Sequence, residues 1–242
     1  MLVQLHFLKC TTALQRYTVM TLSTVEIETG PNPTATIVLM HGLGADGNDF
    51  VPICRELNLS SVGPVRFVFP NAPQIPVTVN GGHRMPAWYD ILVTELGRQE
   101  DEAGLRKSQA AIEDILAREK ARGIPASRTV IAGFSQGCAM ALLTGLRHRE
   151  RLAGIVGLSG YLPLADKTAA ERSTENADVP VFLAHGRRDP VVMLARATAS
   201  RDTLQALGYK VQWTDYAMEH SVCPEEVNDL NQWLLKVLAK TV

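Results

Sequence analysis

The chain has 242 residues, 46% of them hydrophobic, and a formal net charge of −1. That length suits one large α/β domain or two small ones, with enough apolar residues for a core. The near-zero charge gives no electrostatic footprint for nucleic acid or an anionic membrane, and without an apolar run of about 18 or more residues no stable membrane insertion is expected.

Residues 1–19 differ in character from the rest of the chain. Their apolar start has no basic leader, Lys9 interrupts it, and no small-residue cleavage site comes after it. A secretory signal is therefore not expected. Met20 opens a segment that reads as a natural start, so 1–19 is expected to be a start artefact or a poorly ordered extension, and 20–242 the domain. Val25–Glu28 alternates apolar and polar residues, as an edge strand does. Thr36–Met40 is almost continuously apolar, as a strand buried on both faces of a parallel sheet is. It runs into a glycine-rich turn, His41-Gly42-Leu43-Gly44, and then a helix at about 49–57. Val65–Phe69 is the next buried strand. Residues 70–97 read as one long loop whose Met85, Trp88, Tyr89 and Ile91 give it material to cover a pocket.

The next helix runs from Glu100 to about Arg122, with Leu105, Ile112, Ile115 and Leu116 near helical spacing. Val130–Ala132 is a short strand, succeeded by a turn and a small-residue helix. Leu152–Leu158 and Val179–His185 are further buried strands, with a polar surface excursion between them at 164–178. A helix at 193–207, a strand at Lys210–Tyr216 and a closing helix at 224–239 complete the chain. Strands alternating with helices imply a parallel sheet covered on both faces.

The turn after the 130–132 strand is Gly133-Phe134-Ser135-Gln136-Gly137. G-x-S-x-G between a strand and a helix is the pattern of a nucleophile elbow, which lifts a serine hydroxyl above the sheet edge. Alone it is a weak pattern, whose plain reading is an ordinary strand-to-helix turn; the strand before it and the helix after it favour the elbow. Weight comes from other strand ends, because open parallel sheets place their sites there. The 179–185 strand leads to Asp189 and the last strand to His220, giving the order Ser…Asp…His of the α/β-hydrolases. Each role answers a chemical need. A serine hydroxyl needs a base to take its proton, and His220 is the candidate, because an imidazole is the side chain suited to that work near neutral pH. Asp189 would hold the imidazole and stabilise its charged form. The backbone N–H groups of Leu43 and Gln136 would stabilise the tetrahedral oxyanion.

The alternatives are plain ones. Asp90, Asp166 and Asp215 compete with Asp189, Asp215 least because it falls within a strand. His41 and His185 lie near the site and read as structural or supporting. His148, among Arg147, Arg149 and Arg151, reads as solvated. Cys138 reads as a packing residue. Trp88 is either a pocket wall or a loop anchor. The four cysteines, Cys10, Cys54, Cys138 and Cys223, have no C-x-x-C spacing, which argues against a zinc site or disulfide scaffold and fits a reducing, cytoplasmic setting.

Several stretches together resemble the phospholipase/carboxylesterase family, which includes bacterial carboxylesterases and eukaryotic acyl-protein thioesterases. They are Met40–Phe50, Phe69–Pro73, Pro76–Gly82, Met85–Asp90, Gly133–Gly137, Leu158–Pro163 and His185–Asp189. The resemblance covers about residues 20–240; the extension before it departs from the family pattern. It implies an α/β-hydrolase fold without a large cap domain and the triad Ser135, Asp189 and His220. It also implies an oxyanion hole from Leu43 and Gln136, an apolar acyl groove near Leu43, Trp88 and Leu162, and no metal or cofactor. The expected activity is that of a serine carboxylesterase on short- to medium-chain esters through an acyl-enzyme. The alternatives are an acyl-protein thioesterase or lysophospholipase and, from another class, a non-catalytic hydrolase-fold binding protein. The partner expected is a small ester or acyl thioester substrate. The sequence leaves the oligomeric state open, a homodimer included.

Overall fold

The computed structural model describes residues 21–94 and 97–239. The apolar runs become the middle of one seven-stranded sheet. Its strands are β1 (Thr24–Glu28), β2 (Ala35–Met40), β3 (Val65–Pro70), β8 (Thr129–Phe134), β9 (Gly154–Leu158), β10 (Val181–Gly186) and β11 (Val211–Tyr216). They lie in the order β1-β3-β2-β8-β9-β10-β11. All neighbours pair in parallel except β1, which runs antiparallel to β3 at the edge. Every residue of β2, β3, β9 and β10 is buried. This is why those strands read as continuous apolar runs, whereas edge strand β1 alternates.

The helices are α1 (Ile53–Glu56), α2 (Glu102–Ala121), α3 (Gln136–Gly145), α4 (Ala165–Glu171), α5 (Leu194–Ala206) and α6 (Pro224–Val237). Alternate strand residues feed two cores. Val38, Met40 and Ile131 face a layer that includes Leu105 and Ile112 of α2, Leu142 of α3 and Leu204 of α5. Ile37, Leu39 and Val130 face the layer of Ile53 of α1 and Leu230, Trp233 and Leu234 of α6. Helix α3 is buried along its whole length, which explains its alanines and glycines. A Cβ on Gly145 would lie 2.7 Å from Ile155. The result is the α/β-hydrolase architecture, with every parallel strand delivering its carboxyl end to the same edge.

Four expectations change. The 70–97 segment is not one loop. It carries two hairpins, β4 (Gln74–Val77) with β5 (His83–Pro86), and β6 (Ile91–Thr94) with β7 (Gly97–Glu100). The first turns through Gly81 and Gly82, both at positive φ, and its strands are too short and polar to stand out by periodicity. The helix expected at 49–57 is reduced to Ile53–Glu56. Asp46 accepts the backbone N–H of Asn48 at 2.7 Å, and such side-chain turns compete with helix. The 164–178 excursion holds α4, then returns to the core. Buried Asn176 accepts the Leu152 N–H at 2.9 Å and donates to the carbonyls of His148 and Glu150, each at 2.8 Å. His148 is correspondingly not solvated: it is buried, with Nδ1 2.7 Å from a Glu113 carboxylate oxygen on α2. The expected extension at 1–19 lies outside the described residues.

Candidate active site

β8 ends at Phe134, and the chain turns into α3 through Ser135 at φ 55° and ψ −116°. A non-glycine residue at such a φ stores roughly 1–3 kcal/mol and needs its surroundings to hold it there. The flanking glycines allow the close approach. A Cβ on Gly133 would lie 2.1 Å from the Gly137 carbonyl, and one on Gly137 would lie 2.1 Å from the Met40 carbonyl oxygen. The Ser135 N–H donates to Leu158 of β9 at 2.9 Å, so the elbow is fixed to strands on both sides of β8.

The loops after β10 and β11 cross nearby. Arg187 and Arg188 N–H groups donate to the carbonyls of Tyr216 and Met218 at 2.8 and 3.1 Å. A Cβ on Gly186 would strike the Glu219 carbonyl oxygen at 2.3 Å. This crossing brings His220 to Asp189. His220 Nδ1 lies 2.7 Å from Asp189 Oδ2, and its Nε2 lies 3.0 Å from Ser135 Oγ. The Phe134 ring, with its centroid 4.8 Å from that of His220, supports the imidazole from the elbow side. Asp189 is buried, and its Oδ1 accepts the N–H groups of Val191 and Val192 at 2.8 and 2.9 Å. The rival aspartates are occupied elsewhere: Asp90 accepts from Thr78 in the hairpin region, Asp166 sits in the first turn of α4, and Asp215 pairs with Arg187.

Leu43 and Gln136 both line the pocket beside Ser135. Their backbone N–H groups donate no hydrogen bond among the described residues, and Gln136 opens α3, where the helix N-terminus favours an anion. His41 is structural. Its Nδ1–H donates to the Gly42 carbonyl at 2.7 Å while Nε2 accepts the Ala72 N–H at 3.1 Å. Burial holds its pKa below the ordinary value, so it braces the Leu43 turn as a neutral ring.

Two residues expected to contact substrate do not face the pocket. Trp88 is 1% exposed. Its indole N–H donates to the His41 carbonyl at 2.8 Å, and its own N–H donates to the Gln136 side chain at 3.0 Å. Trp88 is the loop anchor of the two readings, not the wall. Leu162 is buried in the core, with its N–H donated to Ser200 Oγ at 2.8 Å. The pocket is lined instead by Tyr89, Ile91, Tyr161, Val191, Val192 and Arg196, besides Leu43, Ser135 and Gln136. The Tyr89 and Tyr161 hydroxyls lie 2.8 Å apart, and the Arg196 guanidinium sits 3.3 Å above the Tyr161 ring centroid. Burial raises both phenol pKa values, so the two tyrosines stay uncharged; the ionisable lining besides them is Arg196, Glu100 3.7 Å from it, and Asp90. Tyr89 and Tyr161 adjoin the motif residues Trp88 and Gly160. Arg196 sits on a helix with no local pattern to mark it.

The parts are those of acyl transfer: a hydroxyl against an imidazole, a carboxylate behind it, and two free N–H donors beside it. No group of three or more His, Cys, Asp or Glu that could hold a metal ion occurs among the described residues.

Residues 22–238 match the family model described as Phospholipase/Carboxylesterase. The chain belongs to this family. Among the relatives of this family member are acyl-protein thioesterase 1 of Neurospora crassa, 43% identical over 86% of this chain and 88% of that one, and acyl-protein thioesterase 1 of Yarrowia lipolytica, 41% identical over 83% and 91%. Among solved structures it is similar to Zea mays acyl-protein thioesterase 2, with a TM-score of 0.79 and 30% identity over 90% of this chain and 99% of that one. It is also similar to esterase PE8, with a TM-score of 0.76 and 27% identity over 90% and 100%. The fold and the general hydrolase class expected from the sequence are those of the family.

Proposed function

We propose that this protein is a serine hydrolase that removes acyl groups by a two-step acyl-enzyme mechanism, with acyl thioesters on proteins as its physiological substrates. The observation that carries the chemistry is the hydrogen-bonded line Ser135–His220–Asp189. His220 takes the Ser135 proton as Oγ attacks the acyl carbon, Asp189 stabilises the resulting imidazolium, and the Leu43 and Gln136 N–H groups receive the oxyanion. His220 then protonates the departing thiolate or alkoxide. A water molecule, deprotonated by the same imidazole, releases the acid.

The substrate class rests on the relatives named acyl-protein thioesterase 1, 43% and 41% identical over most of the chain. This favours the thioesterase alternative over the small-ester reading first expected. The similarity to esterase PE8 favours the second reading, a carboxylesterase of short- to medium-chain esters. A non-catalytic role is disfavoured by the three mutually bonded positions, where such proteins typically lose one. No described helix is long and apolar enough to cross a membrane, and we place the activity in the cytoplasm.

Two experiments test this reading. Ser135→Ala is expected to abolish both hydrolysis of p-nitrophenyl esters and labelling by a fluorophosphonate probe; near-normal turnover in that variant removes the mechanism. A panel of esters and thioesters of matched acyl length separates the substrate classes. Thioester preference with long chains supports the first, and preference for short oxygen esters supports the second.

A further inference from the structure

His185 ends β10, four residues before Asp189, and lies outside the proton path described above. It is 1% exposed. Its Nε2 lies 2.7 Å from the Val192 carbonyl oxygen and 3.4 Å from Asp189 Oδ2. A carbonyl can only accept, so Nε2 carries the proton and Nδ1 carries the lone pair. Nδ1 is buried without a hydrogen-bond partner among the described residues. A proton added there would lack an acceptor, and burial likewise lowers the pKa of this ring. Val192 is therefore held at both ends: its carbonyl by His185, and its N–H by Asp189 Oδ1 at 2.9 Å.

We propose that His185 is a positioning residue for Asp189, a neutral clamp that fixes the 189–192 turn so that Oδ2 points at His220. The geometry has two consequences. The clamp fixes Oδ1 through the Val192 N–H, which leaves Oδ2 as the oxygen presented to His220. The neutral ring also leaves the carboxylate charge for His220 alone, since a charged His185 3.4 Å away would compete with the imidazolium. The titratable groups around His185 are Asp189 and His220 from the crossing loops, and Cys138 from α3 and Tyr161 from the loop after β9, which line a small internal cavity with it. On the sheet its register partner is Asp215 of β11, itself paired with Arg187.

The inference rests on the proposed roles of Ser135, His220 and Asp189, so its test includes a reading independent of turnover. A glutamine places its amide nitrogen near the position of imidazole Nε2, whereas an asparagine reaches only as far as Nδ1. His185→Gln is expected to keep the low-field proton resonance of His220 Nδ1–H and kcat within about threefold of the parent. His185→Asn is expected to shift that resonance upfield and lower kcat about 10- to 100-fold, the scale of a misplaced catalytic group. KM should stay near the parent value, and the acid limb of kcat/KM should move to lower pH, because a loosened Asp189 stabilises the imidazolium less. An unchanged resonance and kcat in folded His185→Asn overturns the proposal. So does an equal loss in both variants, which would make ring volume the cause. If His185→Asn does not fold, loss of the resonance in folded His185→Gln overturns it and retention supports it. Failure of the parent to label at Ser135 strikes the functional reading instead.

Discussion

The side chain of Gln136 grips the backbone of Trp88. Its Oε1 accepts the Trp88 N–H at 3.0 Å, and its Nε2 donates to the next carbonyl, Tyr89, at 3.0 Å. One residue thus presents a main-chain donor to the site and holds the Trp88–Tyr89 backbone with its carboxamide. Trp88 transmits this further, through its indole N–H, to the His41 carbonyl at 2.8 Å, next to the Leu43 turn. Both proposed oxyanion donors are therefore tied to one segment.

Gln136→Ala keeps the backbone N–H but leaves a buried donor and a buried acceptor unpaired. Each costs about 1–3 kcal/mol. We expect a total near 2 kcal/mol or more, which for a chain of this size lowers Tm by about 4–8 °C. kcat should fall with it, because the Leu43 turn loses its brace. Calorimetry with steady-state kinetics checks this, and an unchanged Tm would refute the clamp.

Asp189→Asn makes a sharper prediction, because the two oxygens of Asp189 are not equivalent. Oδ1 accepts two backbone N–H groups, from Val191 and Val192. Only the oxygen of an asparagine can take that place, so its NH2 must face His220. His220 Nδ1 then has to accept, its proton moves to Nε2, and Nε2 cannot take the proton of Ser135. The expected loss in kcat is roughly 10⁴-fold with little change in fold, as for a wrong-tautomer histidine elsewhere. Circular dichroism and burst kinetics measure both, and a loss under tenfold would contradict this orientation of Asp189.

These two cases mark where the sequence is informative. Ser135, Asp189 and His220 each sit just past a strand end, and a buried parallel strand is legible as an apolar run, so their convergence followed from chain order. Gly133 and Gly137 were legible for the same local reason. The pocket was not. Whether Trp88 faces ligand or protein depends on Gln136, 48 residues away in the chain, and no local spacing encodes that. The hairpins of 70–97 escaped because their strands have four residues each. His148 looked solvated beside three arginines, but its burial depends on Glu113 and Asn176, 35 and 28 residues distant.

Gly137→Ala tests how tightly the elbow is built. The added methyl would lie 2.1 Å from the Met40 carbonyl oxygen and 2.8 Å from that of His41. Both are backbone atoms of β2 and its exit turn, so relief requires moving the strand, the elbow or both. We expect at least about 100-fold loss of turnover, since a shift of about 1 Å in a catalytic group costs that much, together with a lower Tm. Gly81→Ala is the contrast. Nothing lies within 4 Å of its Cβ position, but its φ is +66°, so it should cost about 1 kcal/mol through backbone strain and leave turnover intact. Equal turnover in the two variants would argue against a sterically fixed elbow.

Glu226 gives the protein a pH-dependent stability outside the site. It lies in the first turn of α6 and is fully buried, with neither carboxyl oxygen hydrogen-bonded among the described residues. Burial pushes its pKa up from 4.5 to about 8. Cys223 at the start of α6 and the Tyr216 hydroxyl, which donates to Asp229 at 2.8 Å, are the titratable groups nearby. In the folded chain the carboxyl stays protonated up to about pH 8; in the unfolded chain it ionises near 4.5. The folded state therefore binds the extra proton between these values. The stability this group contributes is fully present below about pH 4.5 and is lost as pH rises through about 8, by up to about 1.4 kcal/mol per pH unit. Glu226→Gln removes the titration. The difference in Tm between variant and parent should therefore grow steadily in favour of the variant from about pH 5 to about pH 8.5, whatever its sign at the acid end. Thermal melts across that range decide it, and parallel curves for the two proteins would mean that Glu226 is ionised in the native state.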